Sequence, residues 1–481
     1  VTATDLLALS PYIAVYAAAT LVMLGVAVRR QATVSWILGV AGLVLAIGLL
    51  LAAAPLAPRR VTPLLVVDRY ALFYGALVFG AALVIVLLSR PYLACRPCLA
   101  DEFYLLVLLA TAGAGVMAAS RHFAAFYLGL EVLSTSLYAL VGYRCGSRRS
   151  IEAATKYLVL AAAAAAFLLF GAALVYAEVG SLAFARLVAA GPQLCHSSVG
   201  LAGLALIVVG LGFKLSVVPF HMWTSDVYEG APAPVAAYLA TVAKAAVFAL
   251  LLRYLRAVPG ASYPSLELAL SLLAVASMFV GNLLALRQQN LKRLLAFSSV
   301  AHLGYLLTVY QAANTAAVEA ITVYLVTYVV ASLGAFGVVT ILSSQSGDRE
   351  IDSLADYRGL FTRRPVLATV LAVTLLSLAG VPLTVGFLGK FYAITVGVAA
   401  QLWWQMGALV INSVIGLVYY LRVVNTMVEP AVDPAAAELA PTCHCRLATA
   451  VVACLALVVV VLGVYPAPLV EVVRGLLPPA P

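Results

Sequence analysis

Fourteen apolar stretches, each about the length of a bilayer crossing and most joined by short connections, constrain this chain more than any other feature. They lie near 6–28, 33–54, 70–89, 103–120, 123–143, 152–177, 199–220, 235–256, 266–286, 294–312, 316–342, 366–398, 403–424 and 447–467. A helix rises 1.5 Å per residue, so about 20 apolar residues cover about 30 Å of hydrocarbon. The expected fold is an all-α polytopic membrane protein with fourteen transmembrane helices. Of the 481 residues, 65% are hydrophobic and 10% charged, too few charges to cover a water-soluble surface of this size. A cytosolic enzyme is excluded. The connections at 178–198, 343–365 and 425–446 are the longest, and none could hold a catalytic domain. Chemistry must sit between helices.

The net charge of +9 is no mark of nucleic-acid binding, because the 28 lysines and arginines form no basic run. Membrane topology accounts for them. Loops on the cytoplasmic side carry the excess of Lys and Arg. Alternate connections divide sixteen (among them Arg29, Arg30, Arg144, Arg148, Arg149, Lys292 and Arg293) against eight (among them Arg59, Arg60, Arg121, Arg186 and Arg253). This places both termini on the outer, periplasmic face. The first apolar run has no basic segment before it and reads as a retained helix, not a cleaved signal. The seven cysteines show no disulfide spacing. Cys95/Cys98 and Cys443/Cys445 fall on the inner side, where reduced thiols are the default and a four-ligand zinc site is the alternative. Cys454 reads as a small core residue.

Two runs are not ordinary helices. Run seven contains Gly210-Leu-Gly-Phe-Lys214-Leu-Ser-Val-Val-Pro219-Phe-His221, and run twelve contains Gly380-Val-Pro382-Leu-Thr-Val-Gly386-Phe-Leu-Gly389-Lys390. Gly and Pro weaken the backbone ladder, and irregular backbone at membrane depth survives only in protein or beside a wet cavity. Both runs are expected to break near the proline with the lysine close by. They are five runs apart, so runs four to eight and nine to thirteen can form two inverted five-helix repeats, a pointer to a transport path. The expected divisions are 1–98, three helices; 99–257, the first repeat; 258–425, the second; and 426–481, the last helix.

Ionisable groups at bilayer depth are costly and ask for a reason. Glu131, Lys214, Lys244 and Lys390 are the strong cases. Glu131 with Lys214 reads either as a static ion pair or as part of a proton path. Lys244 and Lys390 have no evident acidic partner, and a lysine in a low-dielectric site can exchange its proton reversibly. Snorkelling to the surface is the other reading of Lys390 and a poor one for Lys244. His302 could relay protons or only bond across helices. His221 reads first as a polar anchor at a break, and Lys156 as a snorkelling group or a site residue. Glu267 and Glu319 lie near solvated helix ends. No phosphate loop or dinucleotide fingerprint is present, so no nucleotide site is expected.

The segment from Val209 through Lys214, Pro219, His221, Trp223, Asp226 and Gly230 to Pro234 resembles the subunit N family of proton-translocating NADH:quinone oxidoreductase, bacterial respiratory complex I. Asp101-Glu-Phe-Tyr, Leu128-Gly-Leu-Glu131, Asn290-Leu-Lys-Arg-Leu-Leu, Ser298-Ser-Val-Ala-His302-Leu-Gly and Leu376-Ser-Leu-Ala-Gly380-Val-Pro382 through Lys390-Phe-Tyr fit in order. The likeness runs the length of the chain. Subunits L and M and the multisubunit cation/proton antiporters share the lysine but differ around it. Ser225 departs from the proline usual after Trp-Thr in the family. The resemblance implies fourteen helices with helices seven and twelve broken, and a proton path in which Glu131 pairs with Lys214 and continues through Lys244 and Lys390. It implies an inner-membrane translocase subunit with no cofactor of its own. NADH, FMN, iron–sulfur clusters and quinone would sit on other subunits, and subunit M with the small subunits K and J would be its neighbours. A free-standing antiporter and a structural spacer are the competing readings, and mid-membrane lysines count against the spacer.

Overall fold

The computed structural model describes residues 2–96, 100–144, 146–255, 264–346, 349–430 and 446–476. Three helices lead: α1 (Ala3–Val28), α2 (Ala32–Ala53) and α3 (Arg69–Ala94), with a two-residue ribbon pairing β1 (Arg59–Arg60) and β2 (Val66–Val67) between the last two. Next come α4 (Ala100–Ala119), α5 (Phe123–Val141), α6 (Arg148–Val179), the short α7 (Phe184–Ala189) and α8 (Gly191–His196), α9 (Ser198–Leu215) and α10 (Met222–Gly230). A single crossing is then built from α11 (Ala233–Tyr238), a π-turn at Leu239–Ala243 and α12 (Lys244–Leu255). The rest is α13 (Pro264–Leu286), α14 (Leu291–Tyr310), α15 (Thr315–Ser344), α16 (Leu360–Arg363), α17 (Pro365–Ala379), α18 (Val385–Ala399), α19 (Trp403–Val428), α20 (Arg446–Val464) and α21 (Ala467–Arg474).

Among the described residues twelve helices are long and apolar enough to cross a membrane. The difference from fourteen has two physical sources. Run twelve is split into α17 and α18, each shorter than a crossing. Run ten, α14, is long enough but carries Lys292, Arg293, His302 and adjacent serines, which make it polar for a lipid-facing helix. It does not face lipid, since all but two of its residues are buried.

Helix ends are set by side chains that take up orphan N–H groups. Asp68 caps α3, Ser147 caps α6, Asn290 caps α14 and Asn314 caps α15. Packing then follows a repeated scheme. The α4–α5 pair has its counterpart in α13–α14, and α6 against α9 and α10 has its counterpart in α15 against α17 and α18. The first pairs close on glycine. A Cβ on Gly113 would stand 2.5 Å from the Gly129 carbonyl, and one on Gly304 would stand 2.7 Å from the Ala274 carbonyl. Small residues let backbones approach where lipid supplies no hydrophobic drive. The two sets meet where α10 packs on α14 and α11 on α15. There α15, buried over most of its length, forms the centre of the molecule. Cys454 does not join the core; it is exposed on α20, whose apolar circumference gives a thiol no preferred face. Cys98, Cys443 and Cys445 lie outside the described residues.

Candidate functional site

Three helix interruptions each bring a lysine into the interior. The first separates α9 from α10. Ser216 takes a left-handed conformation, φ 62°, and turns the chain out of α9. The Val218 N–H donates to Ser277 Oγ on α13 at 2.9 Å, and Trp223 Nε1 donates to the Phe213 carbonyl at 3.2 Å. Lys214 stands in the last turn of α9, where a cation complements the terminal carbonyls. The second interruption is the π-turn that ends at Lys244, a widening frequently found at functional positions. The third separates α17 from α18 at Gly380, φ +86°. Here the lysine comes from the following half-helix. Lys390 Nζ, from the second turn of α18, donates to the Ala379 carbonyl at 2.7 Å. A Cβ on Gly380 would lie 2.7 Å from Lys390 Cδ, so the glycine makes room for the lysine stem.

Lys214, Lys244 and Lys390 are buried, at 9%, 1% and 7% exposure. Lys214 Nζ donates to Ser134 Oγ at 2.7 Å, and Ser134 donates on to the Leu130 carbonyl. The expected contact ion pair of Lys214 with Glu131 is not formed. Among the described residues no carboxylate lies within 4 Å of Lys214, although Glu131 does interact with it electrostatically. The reason is local: Ser134 is one turn beyond Glu131 on the same face of α5 and occupies the ammonium. Glu131 itself is half-buried, and its Oε1 has no hydrogen-bond partner.

Lys244 Nζ donates to Ser299 Oγ at 2.6 Å and lies 5.9 Å from the Tyr228 ring centroid. Ser299 is one turn from His302 on α14, about 4.5 Å along the axis. His302 bonds through Nδ1 to the Tyr324 hydroxyl at 2.7 Å and through Nε2 to the Tyr420 hydroxyl at 3.2 Å. His302 and Lys390 line one small cavity with Tyr324, Thr327, Tyr328 and Ser377. The Lys390 ammonium also faces the Tyr305 ring, 5.5 Å from its centroid. Lys244, Ser299, His302 and Lys390 thus form one succession, with α14 as its spine. Ser216 Oγ, His221 Nδ1 and Thr224 Oγ1, at and just after the first break, are buried with no hydrogen-bond partner among the described residues. Buried polar atoms of this kind call for water. Serine and tyrosine hydroxyls both donate and accept, so they can solvate an ammonium and a neutral amine alike. A proton can be handed on without dismantling the site.

Lys156 stands apart from this succession. Its side chain is 44% exposed and pairs with Glu152 at 2.7 Å and Asp226 at 2.9 Å. Asp226 and Glu229 also hold Arg293, at 2.8 and 2.7 Å. Glu267 is exposed, and Glu319 pairs with Arg474 at 3.0 Å. Sequence reasoning passed over a further buried cluster. Glu350, in the loop after α15, receives Lys292 at 3.2 Å, Arg96 at 3.6 Å and the Tyr92 hydroxyl. Burial alone would raise its pKa, but Lys292, the Tyr92 hydrogen bond and Arg96 outweigh it and hold the carboxyl below its usual 4.5. Ser134, Ser299 and the tyrosines were missed too. Only the spacing of Ser134 from Glu131 and of Ser299 from His302 offered a signal.

The family model described as NADH:quinone oxidoreductase/Mrp antiporter, TM, matches residues 120–416. The chain is 50% identical to the NADH-quinone oxidoreductase subunit N of Ectopseudomonas mendocina, covering 98% of this chain and 97% of that one. Among solved structures it is similar to a chain of respiratory complex I from Thermus thermophilus, with 33% identity, 96% and 98% coverage and a TM-score of 0.79. A chain of the Mrp complex from a Dietzia species shares the fold, at 20% identity, 99% and 97% coverage and a TM-score of 0.84. An archaeal membrane-bound sulfane sulfur reductase does so at 24% identity, 98% and 96% coverage and 0.82. Interrupted helices with buried lysines, an antiporter family model over most of the chain and half-identity along its whole length agree: this chain belongs to the NADH-quinone oxidoreductase subunit N family.

Proposed function

We propose that this chain moves protons across a bacterial inner membrane as a membrane-arm subunit of NADH:quinone oxidoreductase, driven by electron transfer from NADH to quinone on other subunits. The observation that carries this reading is the succession Lys244–Ser299–His302–Lys390 through a buried, hydroxyl-rich interior. A static scaffold has no use for three buried lysines with no carboxylate within 4 Å among the described residues, because each is costly at membrane depth. In the proposed sequence, Glu131 and Lys214 form the switch at the first break. Movement of the Glu131 carboxylate toward Lys214 competes with Ser134 for the ammonium, and its withdrawal frees the proton to move toward Lys244. His302 then passes a proton between the Ser299 side and the Lys390 cavity, changing which ring nitrogen carries it. His221 anchors the break, and Lys156 helps pin α6 to α10.

The same reading takes the chain as fourteen crossings, counting α9/α10, α11/α12 and α17/α18 as one each, with both termini periplasmic. Residues 99–257 and 258–425 are the inverted repeats, between the leading helices 1–98 and the last segment 426–481. Subunit M and the small subunits K and J are the proposed neighbours. NADH, FMN, iron–sulfur clusters and quinone are assigned to other subunits and none to this chain. The test is Lys390→Met in the assembled complex. Proton pumping per NADH oxidised should fall severalfold while assembly persists; pumping at the parental ratio and rate would refute the reading.

A further inference from the structure

Asn282 lies on α13, fully buried at membrane depth. A primary amide there must satisfy two donors and an acceptor. All are met, by side chains of two neighbouring helices, α14 and α19. Its Nδ2 donates to the Tyr305 hydroxyl at 3.0 Å and to Asn412 Oδ1 at 3.1 Å, while its Oδ1 accepts from the Tyr419 hydroxyl at 3.0 Å. Interhelical hydrogen bonds within membranes contribute little net stability, so adhesion of α13 to α14 and α19 is a weak reason for this network. Its other ends are more telling. The ring whose hydroxyl Asn282 holds is the ring facing Lys390 Nζ at 5.5 Å, and its edge also meets His302, 5.6 Å between centroids at 85°. Tyr419 is packed on Tyr420, 4.4 Å between centroids, and Tyr420 bonds His302.

We propose that Asn282 is a positioning residue of the proton path, which fixes the Tyr305 ring against the Lys390 ammonium and thereby sets how Lys390 holds and releases its proton. The inference rests on the reading of Lys390 as a proton carrier. An ammonium over an aromatic face is stabilised in its charged form more than in its neutral one. A ring turned away from the ammonium loses that preference, and the bond from Asn282 to its hydroxyl holds the Tyr305 ring in its facing orientation. Asn282 touches no transferring group, so its effect must run through Tyr305.

The experiment compares Asn282→Leu, Tyr305→Leu and the double variant in the whole complex, reading proton pumping per NADH and the amount of assembled complex in the membrane. Each single change should lower pumping about three- to tenfold. The double should be no lower than Tyr305→Leu alone, since both act through one ring. Tyr305→Phe, which keeps the ring, should retain more pumping than Tyr305→Leu. Asn282→Ala, which leaves room for water, replaces Asn282→Leu if the latter does not assemble. Parental pumping in the assembled Asn282 variant, losses that multiply in the double, or failure of both Asn282 variants to assemble would each overturn the proposal. Undiminished pumping in Lys390→Met would instead remove the functional reading beneath it.

Discussion

Replacing Ser299 by alanine takes away the side-chain oxygen bonded to the Lys244 ammonium. Ser299 Oγ accepts from Lys244 Nζ at 2.6 Å and donates to the Ala296 carbonyl at 2.7 Å. The carbonyl stays in the helix ladder, so the main loss falls on the lysine, left with the Tyr228 ring at 5.9 Å. A hydrogen bond to a charged group contributes about 1.5–3 kcal/mol, a factor of roughly ten to a hundred in occupancy of the proton-loaded state. Helix α14 should hold, because alanine is a good helix former. The assay is proton uptake into vesicles holding the purified complex, followed with a pH-sensitive dye against NADH oxidised. Pumping should fall about tenfold or more in Ser299→Ala, and Ser299→Thr, which restores a hydroxyl, should recover most of it. Parental pumping in assembled Ser299→Ala, or equal loss in Ser299→Thr, would show that the hydroxyl is not in the path.

Other expectations follow from the same geometry. Lys214→Met, and to a similar degree Glu131→Gln, should leave the complex assembled while pumping falls and coupled quinone reduction slows; normal proton-to-electron ratios and turnover in both would make the two residues structural only. Gly380→Val places a β-branched residue at φ +86° with its Cβ 2.7 Å from Lys390 Cδ. It should destabilise the subunit by about 1–3 kcal/mol, read as a lower melting temperature, whereas Gly407→Ala, with open space at its Cβ, should not. Glu350 has a folded-state pKa below 4.5, so its contribution is fully present above the unfolded value and is lost as pH falls through the lower folded one. Glu350→Gln should therefore cost about 3–5 kcal/mol near neutrality and flatten the acid side of the stability curve below about pH 4.5; an unchanged acid limb in thermal unfolding would contradict that assignment.

Much of the fold was legible because bilayer thickness dictates helix length. The two breaks were legible because Gly, Pro and Lys crowd into Gly210–His221 and Gly380–Lys390, and the chain does leave its helices at Ser216 and Gly380. The interruption before Lys244 was not legible: Leu239–Ala243 contains neither glycine nor proline, and a π-turn there answers to tertiary packing. Nor could partners be read. Nothing in the sequence says that Ser134 takes Lys214 before Glu131 does, or that Lys390 reaches back to Ala379 across the break, since both depend on how half-helices are aimed. Lys156 is a further case. Its place about one turn inside an apolar run left a snorkelling group and a site residue equally open, and Asp226 on α10 meets it at an exposed edge. The tyrosines around His302 are amphipathic core residues by composition, and only their convergence from α14, α15 and α19 marks them as a site.

In a proton path that runs from Lys214 to Lys390, Lys244 is the middle lysine. The most direct measurement is the number of protons moved per NADH oxidised by complex carrying Lys244→Met, reconstituted at matched subunit content. Methionine keeps the length of the side chain and removes the exchangeable proton. A continuous path predicts pumping reduced severalfold or more, with NADH oxidation slowed alongside it wherever the two are tightly coupled. The parental proton-to-electron ratio at the parental rate would contradict it.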